Sequence, residues 1–324
     1  MTAVTGLIGH AAAWEEWRAA LASARMHHAW ILSGPRGLGK ASFALAAAAE
    51  LVAEAGVPQP PAERHPDILI PEHPPETKEE EKRRAEGHED IRRKRSIPID
   101  EIRAMQQRLT TRPTLGARRA VIIDPADDLE KAAVNALLKS LEEPPAGTYF
   151  LLVTHRPGRL LPTIRSRCRT LRFAPLTDGE VDAVLRTTAP QASADDRTAA
   201  VAAAQGAPGV ALEFLELDLG KVHRIMRGIV ANGDADFAAR GALAAEIGAR
   251  PDRERMQAVA ELARAVLAND LAIAPRERQG RIIAAHSELV RLAGQMPTYN
   301  FDPGLAAMEI GGLLASAAMP REAA

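Results

Sequence analysis

Apolar and polar positions along the chain follow two periods, and the change from one to the other divides it. Trp14, Trp17, Leu21 and Ala24 recur at the spacing of one face of a helix, an apolar stripe that must pack on something. Short apolar runs follow: Ala29-Trp30-Ile31-Leu32 stopping at Gly34-Pro35, Ala120-Val121-Ile122-Ile123 ending in Asp124, Phe150-Leu151-Leu152-Val153, and Leu171-Arg172-Phe173. Runs this short, bounded by turn residues, predict buried strands. Helical patterns lie between them: an alanine-rich one from about Lys40 to Ala53, one through about Leu109 that Asp100 is placed to cap, and one through Asn135-Ala136-Leu137-Leu138-Lys139. Such alternation predicts an α/β domain with a parallel sheet covered on both faces.

After Pro175-Leu176 the strand pattern ends. Thr177 and Glu180 have the spacing of a capping box, short helices run to a break at Gly206-Ala207-Pro208-Gly209, and from about Gly220 the pattern is helical throughout. Met226, Ile229, Leu262, Val266, Leu289 and Leu292 are the core positions expected there. Three domains result, 1–174, 175–219 and 220–324. One stretch stands apart: Val57 to Ser96 is proline-rich and holds the run Lys78-Glu79-Glu80-Glu81-Lys82-Arg83-Arg84, with only Ile68-Leu69-Ile70 strand-like. Its charges suit i,i+4 pairs such as Glu79 with Arg83, which predicts a solvated helix or loop.

Composition narrows the function classes. A chain of 324 residues, 46% hydrophobic, buries a sizeable core with ease, and its 3% aromatic content with abundant alanine favours helix-rich packing. A net charge of -1 leaves no overall electrostatic footprint for nucleic acid. Cys168 is the single cysteine, which excludes a disulfide framework and a multi-cysteine zinc site and fits a reducing cytoplasm. Met1-Thr2-Ala3-Val4 lacks a basic and apolar leader pattern, and no run of eighteen apolar residues occurs. The expectation is a soluble, cytoplasmic protein without a membrane partner.

The chemistry concentrates at Gly34-Pro35-Arg36-Gly37-Leu38-Gly39-Lys40, which follows a predicted strand and opens a predicted helix. In that context backbone amides point at phosphate oxygens and Lys40 adds charge for the outer phosphates. The pattern closes with a serine or threonine that ligates magnesium, and here the position is Ala41. Ser42 stands about a hundred degrees further round the helix. The second half of such a site is an acidic strand end, and Asp124 occupies it. The next residue, where a hydrolytic site carries glutamate, is Pro125, while Asp127 and Asp128 are placed to cap the following helix.

Three strings carry a family resemblance: His28-Ala29-Trp30-Ile31-Leu32-Ser33-Gly34, Asn135-Ala136-Leu137-Leu138-Lys139-Ser140-Leu141-Glu142-Glu143-Pro144-Pro145, and Thr163-Ile164-Arg165-Ser166-Arg167-Cys168. In this order they are similar to bacterial DNA polymerase III clamp loader subunits of the AAA+ class, over the first half of the chain. The resemblance implies an AAA+ P-loop domain followed by a small helical lid and an all-α collar for oligomerisation. It implies an ATP site formed by Gly34, Pro35, Arg36, Gly37, Leu38, Gly39, Lys40, Ala41 and Asp124, with Thr154 as the sensor of the gamma-phosphate. Arg167, in Ser166-Arg167-Cys168, would be an arginine finger reaching the nucleotide of a neighbouring subunit. The expected partners are the gamma or tau and delta subunits, with the sliding clamp and primer-template DNA reached through the complex.

Departures from the family pattern refine this. In the motor subunits an arginine opens a lid helix, and the matching position is Gly209. With Ala41 and Pro125 that makes three missing catalytic elements, which resembles a non-hydrolysing member that binds ATP without cutting it and leaves magnesium open. The family often carries a four-cysteine zinc module near His65-Pro66-Asp67; no cysteine stands there, so no thiolate-bound zinc is expected. The rival readings are an active gamma or tau type ATPase in which Ser42 and Asp127 take over, a P-loop kinase or transferase, and a nucleotide-sensing protein outside replication.

Overall fold

The computed structural model describes residues 7–23, 25–88, 91–296 and 301–318, so the Ala24 expectation lies outside the described residues. The chain divides into two compact units, one ending at Leu176 and the next beginning at Thr177. The first is α/β, with helices α1 (Ala11–Ala22), α2 (Lys40–Val52), α3 (Lys78–Ala85), α4 (Ile99–Leu109), α5 (Lys131–Glu142) and α6 (Pro162–Arg165). Its strands are β1 (Ala29–Ser33), β2 (Ile68–Leu69), β3 (Arg119–Ile123), β4 (Thr148–Thr154) and β5 (Arg169–Arg172).

The five strands form one parallel sheet in the order β2-β3-β4-β1-β5. Its central strands read as unbroken apolar runs because both faces are covered. Alternate residues go to opposite sides: Ala29, Ile31, Val121, Ile123, Phe150 and Leu152 join one buried cluster with Ile102, Met105, Leu137 and Leu141 of α4 and α5. On α2 the small residues Ala44, Ala46, Ala47 and Ala48 are buried alongside Phe43, so the helix lies close on the sheet. Trp17 of α1 meets Trp30 edge-on with centroids 5.6 Å apart, and Trp14 meets Phe43 at 4.2 Å.

Several expectations need correction. Asp100 does not cap α4, whose N-cap is Pro98; it sits with Glu101 in the first turn, where a carboxylate is favoured by the helix dipole. Within the charged stretch, α3 is capped by Thr77, and Arg83 pairs with Glu80 at 3.1 Å rather than with Glu79. Around α3 the chain makes an excursion that leaves and returns at one antiparallel bridge, Pro75 with Arg93, and Glu72 takes both Arg84 at 3.0 Å and Arg93 at 2.7 Å.

The second unit is all helix: α7 (Asp178–Thr188), α8 (Ala194–Ala204), α9 (Pro208–Glu216), α10 (Gly220–Asn232), α11 (Ala238–Ile247), α12 (Arg253–Ile273), α13 (Arg276–Gln295) and α14 (Pro303–Ser316). The capping box of Thr177 and Glu180 opens α7. The expected break falls at Gly206-Ala207, between α8 and α9, and Pro208-Gly209 already begins α9, because proline's missing N–H costs nothing in a first turn. α7, α8 and α9 pack on one another, and α8 also packs on α10 and α12. The six predicted core residues, Met226, Ile229, Leu262, Val266, Leu289 and Leu292, are all buried. Among the described residues no helix is long and apolar enough to cross a membrane.

Candidate nucleotide site

From the end of β1 the chain turns through Gly34 to Gly39 into α2. A side chain at Gly34 would place its Cβ 2.6 Å from the Phe173 carbonyl oxygen just beyond β5, so only glycine fits. Two backbone bonds hold the turn between strand ends: Gly34 N–H donates to the Thr154 carbonyl at 3.3 Å and Phe173 N–H to that of Ser33 at 2.8 Å. Gly37 and Gly39 have φ of 80° and 78°. Left-handed residues opening a helix gather amide N–H groups around an anion. Pro35 and Arg36 are exposed, and Leu38 is buried beneath the loop.

Lys40 is only 3% exposed, and its Nζ donates to the Pro35 carbonyl at 2.5 Å. Burial pushes its ammonium down to about 8, against the pull of Asp124 and Asp127. A buried cation with three donors and, among the described residues, this single hydrogen bond fits the phosphates of a nucleotide, which would complete its shell. Asp124 follows the last residue of β3; burial raises its carboxyl above the usual range, and the charges of Lys40 and His73 oppose the rise. His10 Nε2 donates to the Leu38 carbonyl at 2.7 Å, so the residues before α1 also brace the loop, a contact with no sequence signal.

The acidic side differs from expectation. Asp127 and Asp128 do not cap α5, whose N-cap is Glu130 with no side-chain bond. They belong to a short 3-10 turn, Ala126–Asp128, and are used elsewhere. Asp127 accepts from Thr154 Oγ1 at 2.8 Å and from His155 N–H at 2.6 Å, and Asp128 accepts from His73 Nε2 at 3.2 Å. Thr154 is fully buried; its hydroxyl gives its proton to Asp127 and accepts Arg156 N–H at 3.2 Å. His155 is held neutral by burial and by the Lys40 charge, and its Nδ1 is buried with no hydrogen-bond partner among the described residues. Ala41 offers no side-chain oxygen, and Ser42 beside it is exposed. No group of three or more His, Cys, Asp or Glu that could hold a metal ion occurs among the described residues.

Thus Gly34 to Ala41, Asp124 and Thr154 meet at the carboxyl ends of β1, β3 and β4, and Arg167 does not join them. It precedes β5 by two residues, and β5 begins beside Trp30, so Arg167 lies at the amino end of the sheet. The strand separates it from its own phosphate loop by roughly 10 Å or more at 3.3 Å per residue. Its Nη2 pairs with Glu142 Oε1 at 2.8 Å and its Nη1 donates to the Thr163 carbonyl at 2.9 Å. Arg159, Arg165, Arg169 and Arg172 are exposed, and Arg172 lies at the other end of β5, opposite Ser33. Cys168 packs against the core cluster, and burial pushes its thiol up to about 12, as suits a packing residue. Asn135 and Lys139 are exposed on α5.

The chain is similar to the DNA polymerase III subunit delta' of Pseudomonas aeruginosa, 37% identical over 168 residues, covering 47% of this chain and 46% of that one. It is likewise similar to the subunit delta' of Escherichia coli, 39% identical over 125 residues, 39% of this chain and 37% of that one. Each match spans less than half the relative's length. Among solved structures, a DNA polymerase III gamma subunit-related protein of Thermotoga maritima superposes with a TM-score of 0.52 at 18% identity, over 94% of this chain and 98% of that one, a likeness of fold. The fold is AAA+. The profile described as DNA polymerase III, delta subunit, matches residues 9–177, and the chain belongs to that family.

Proposed function

We propose that this chain acts as the delta-prime subunit of a bacterial clamp loader: a subunit that holds ATP without hydrolysing it and lends Arg167 to the ATP of a neighbouring gamma or tau subunit. The position of Arg167 carries the reading. A guanidinium at the amino end of the sheet is out of reach of its own phosphate loop and half exposed, the placement a group acting in trans needs. In this reading Lys40 and the amides of Gly37 to Ala41 hold the phosphates of the bound nucleotide. That nucleotide supplies negative charge that completes the shell of Lys40. Ala41 gives magnesium no side-chain ligand.

The motor reading is disfavoured by Asp127, each of whose oxygens already accepts a hydrogen bond, from Thr154 and from the His155 amide, which makes it a poorer base toward water. Partners of the second unit would cover α13, where Ile283 and Val290, two turns apart, are 53% and 44% exposed. Delta, the sliding clamp and primer-template DNA belong to the same proposal.

The test uses the reconstituted loader. The isolated chain is expected to show no magnesium-dependent ATP turnover. In the complex, Arg167→Ala is expected to lower DNA-stimulated turnover at the site it completes by at least about tenfold without loss of assembly. Brisk hydrolysis by the isolated chain, abolished by Lys40→Ala, would establish the motor instead.

A further inference from the structure

The Arg167 guanidinium is held from two sides, by α6 with its following residue and by α5. Nη1 donates to the Thr163 carbonyl of α6 at 2.9 Å, and Nη2 meets Glu142 Oε1, from the last residue of α5, at 2.8 Å. With Nη1 also donating to Ser166 Oγ at 3.5 Å, these anchors fix the plane of the group and still leave two of its five N–H donors for another acceptor. Glu142 is an unfavourable residue for its place: a carboxylate at a helix C-terminus faces the negative end of the dipole, and Glu143 follows. A cation beside it offsets that cost, and Arg167 is the cation.

Two roles follow from such a pair, a lock or a positioning contact, and magnitude separates them. The side chains are 36% and 48% exposed, and a pair so open to water shifts an equilibrium by no more than about fivefold. That is too weak to hold an arginine back from a polyphosphate. It suffices to restrict a long, rotamer-rich side chain to one orientation.

We propose that Glu142 is the positioning residue of Arg167, aligning its free donors toward the nucleotide of the adjoining subunit. The inference rests on the trans-acting reading of Arg167. The experiment is a double-mutant cycle in the reconstituted loader, with wild type, Glu142→Gln, Arg167→Ala and the pair, reading DNA-stimulated kcat and KM for ATP. Glu142→Gln is expected to lower kcat two- to fivefold with KM unchanged, and to add nothing on the Arg167→Ala background. A rise in kcat, no change, or an equal fall on both backgrounds overturns the proposal, the last by showing a merely structural role. If Arg167→Ala itself leaves turnover intact, the trans-acting reading falls and this one with it. If Arg167→Ala is damaging and Glu142→Gln silent, only the role of Glu142 falls.

Discussion

At the scale of single residues, Lys40 shows how burial sets chemistry. Its ammonium titrates near 8 because the loop covers it, well below an exposed lysine. A polyphosphate stabilises the charged form. Below about pH 8 the proton is already present, so affinity is expected to be flat; above it, binding must take up a proton, and affinity should fall by up to about tenfold per pH unit. Titration with a fluorescent ATP analogue from pH 7 to 9.5 checks this, with Lys40→Arg removing the slope because a guanidinium stays charged. A flat wild-type profile would mean that Lys40 does not meet the phosphates. Lys40 itself was legible from its glycine-rich neighbourhood. The links of Asp127 with Thr154 and of Arg167 with Glu142 were not, since each joins residues far apart in the sequence.

At the scale of elements, the apolar runs that predicted strands did so because a parallel sheet buries both faces. What joins the elements left no periodic trace. Asp67 and Arg119, both buried, meet at 3.5 Å between β2 and β3. Asp67 also accepts the Thr114 and Leu115 amides at 2.7 and 2.8 Å, and Arg119 donates to the carbonyls of Arg108, Thr111 and Arg112. The pair thereby fastens the whole connection from α4 to β3. Arg119→Met should cost about 3–5 kcal/mol, since it leaves a buried carboxylate without its cation and three carbonyls unmatched. Chemical denaturation midpoints check the size. A shift below about 1 kcal/mol would show that water replaces the guanidinium. The turn at Ala126–Asp128 departs from the sequence pattern for a related reason, because an aspartate before a helix has the spacing of a cap whatever its side chain meets in space.

At the scale of the whole molecule, each unit carries its own core, and acid should weaken both through imidazoles kept neutral inside them. Burial lowers His28, His65 and His155 in the first unit. In the second, burial and then Arg227 push His223 down to about 4, where it packs edge-on against Phe214. Stability from His223 is complete above its ordinary value of 6.5 and is lost as pH falls from there toward 4, because the unfolded chain takes the proton first. Wild-type Tm should therefore drop more between pH 7 and 4.5 than that of His223→Leu; equal drops would remove the group from the account. The helical nature of the second unit was plain in its periodicity, whereas its chemistry stayed unreadable because no motif marks it. The excursion around α3 ends where it starts, at Pro75 and Arg93, outside the five strands, and Glu72 ties it there through Arg84 and Arg93. A change of length between Pro75 and Arg93 therefore leaves the pairing of the five strands intact.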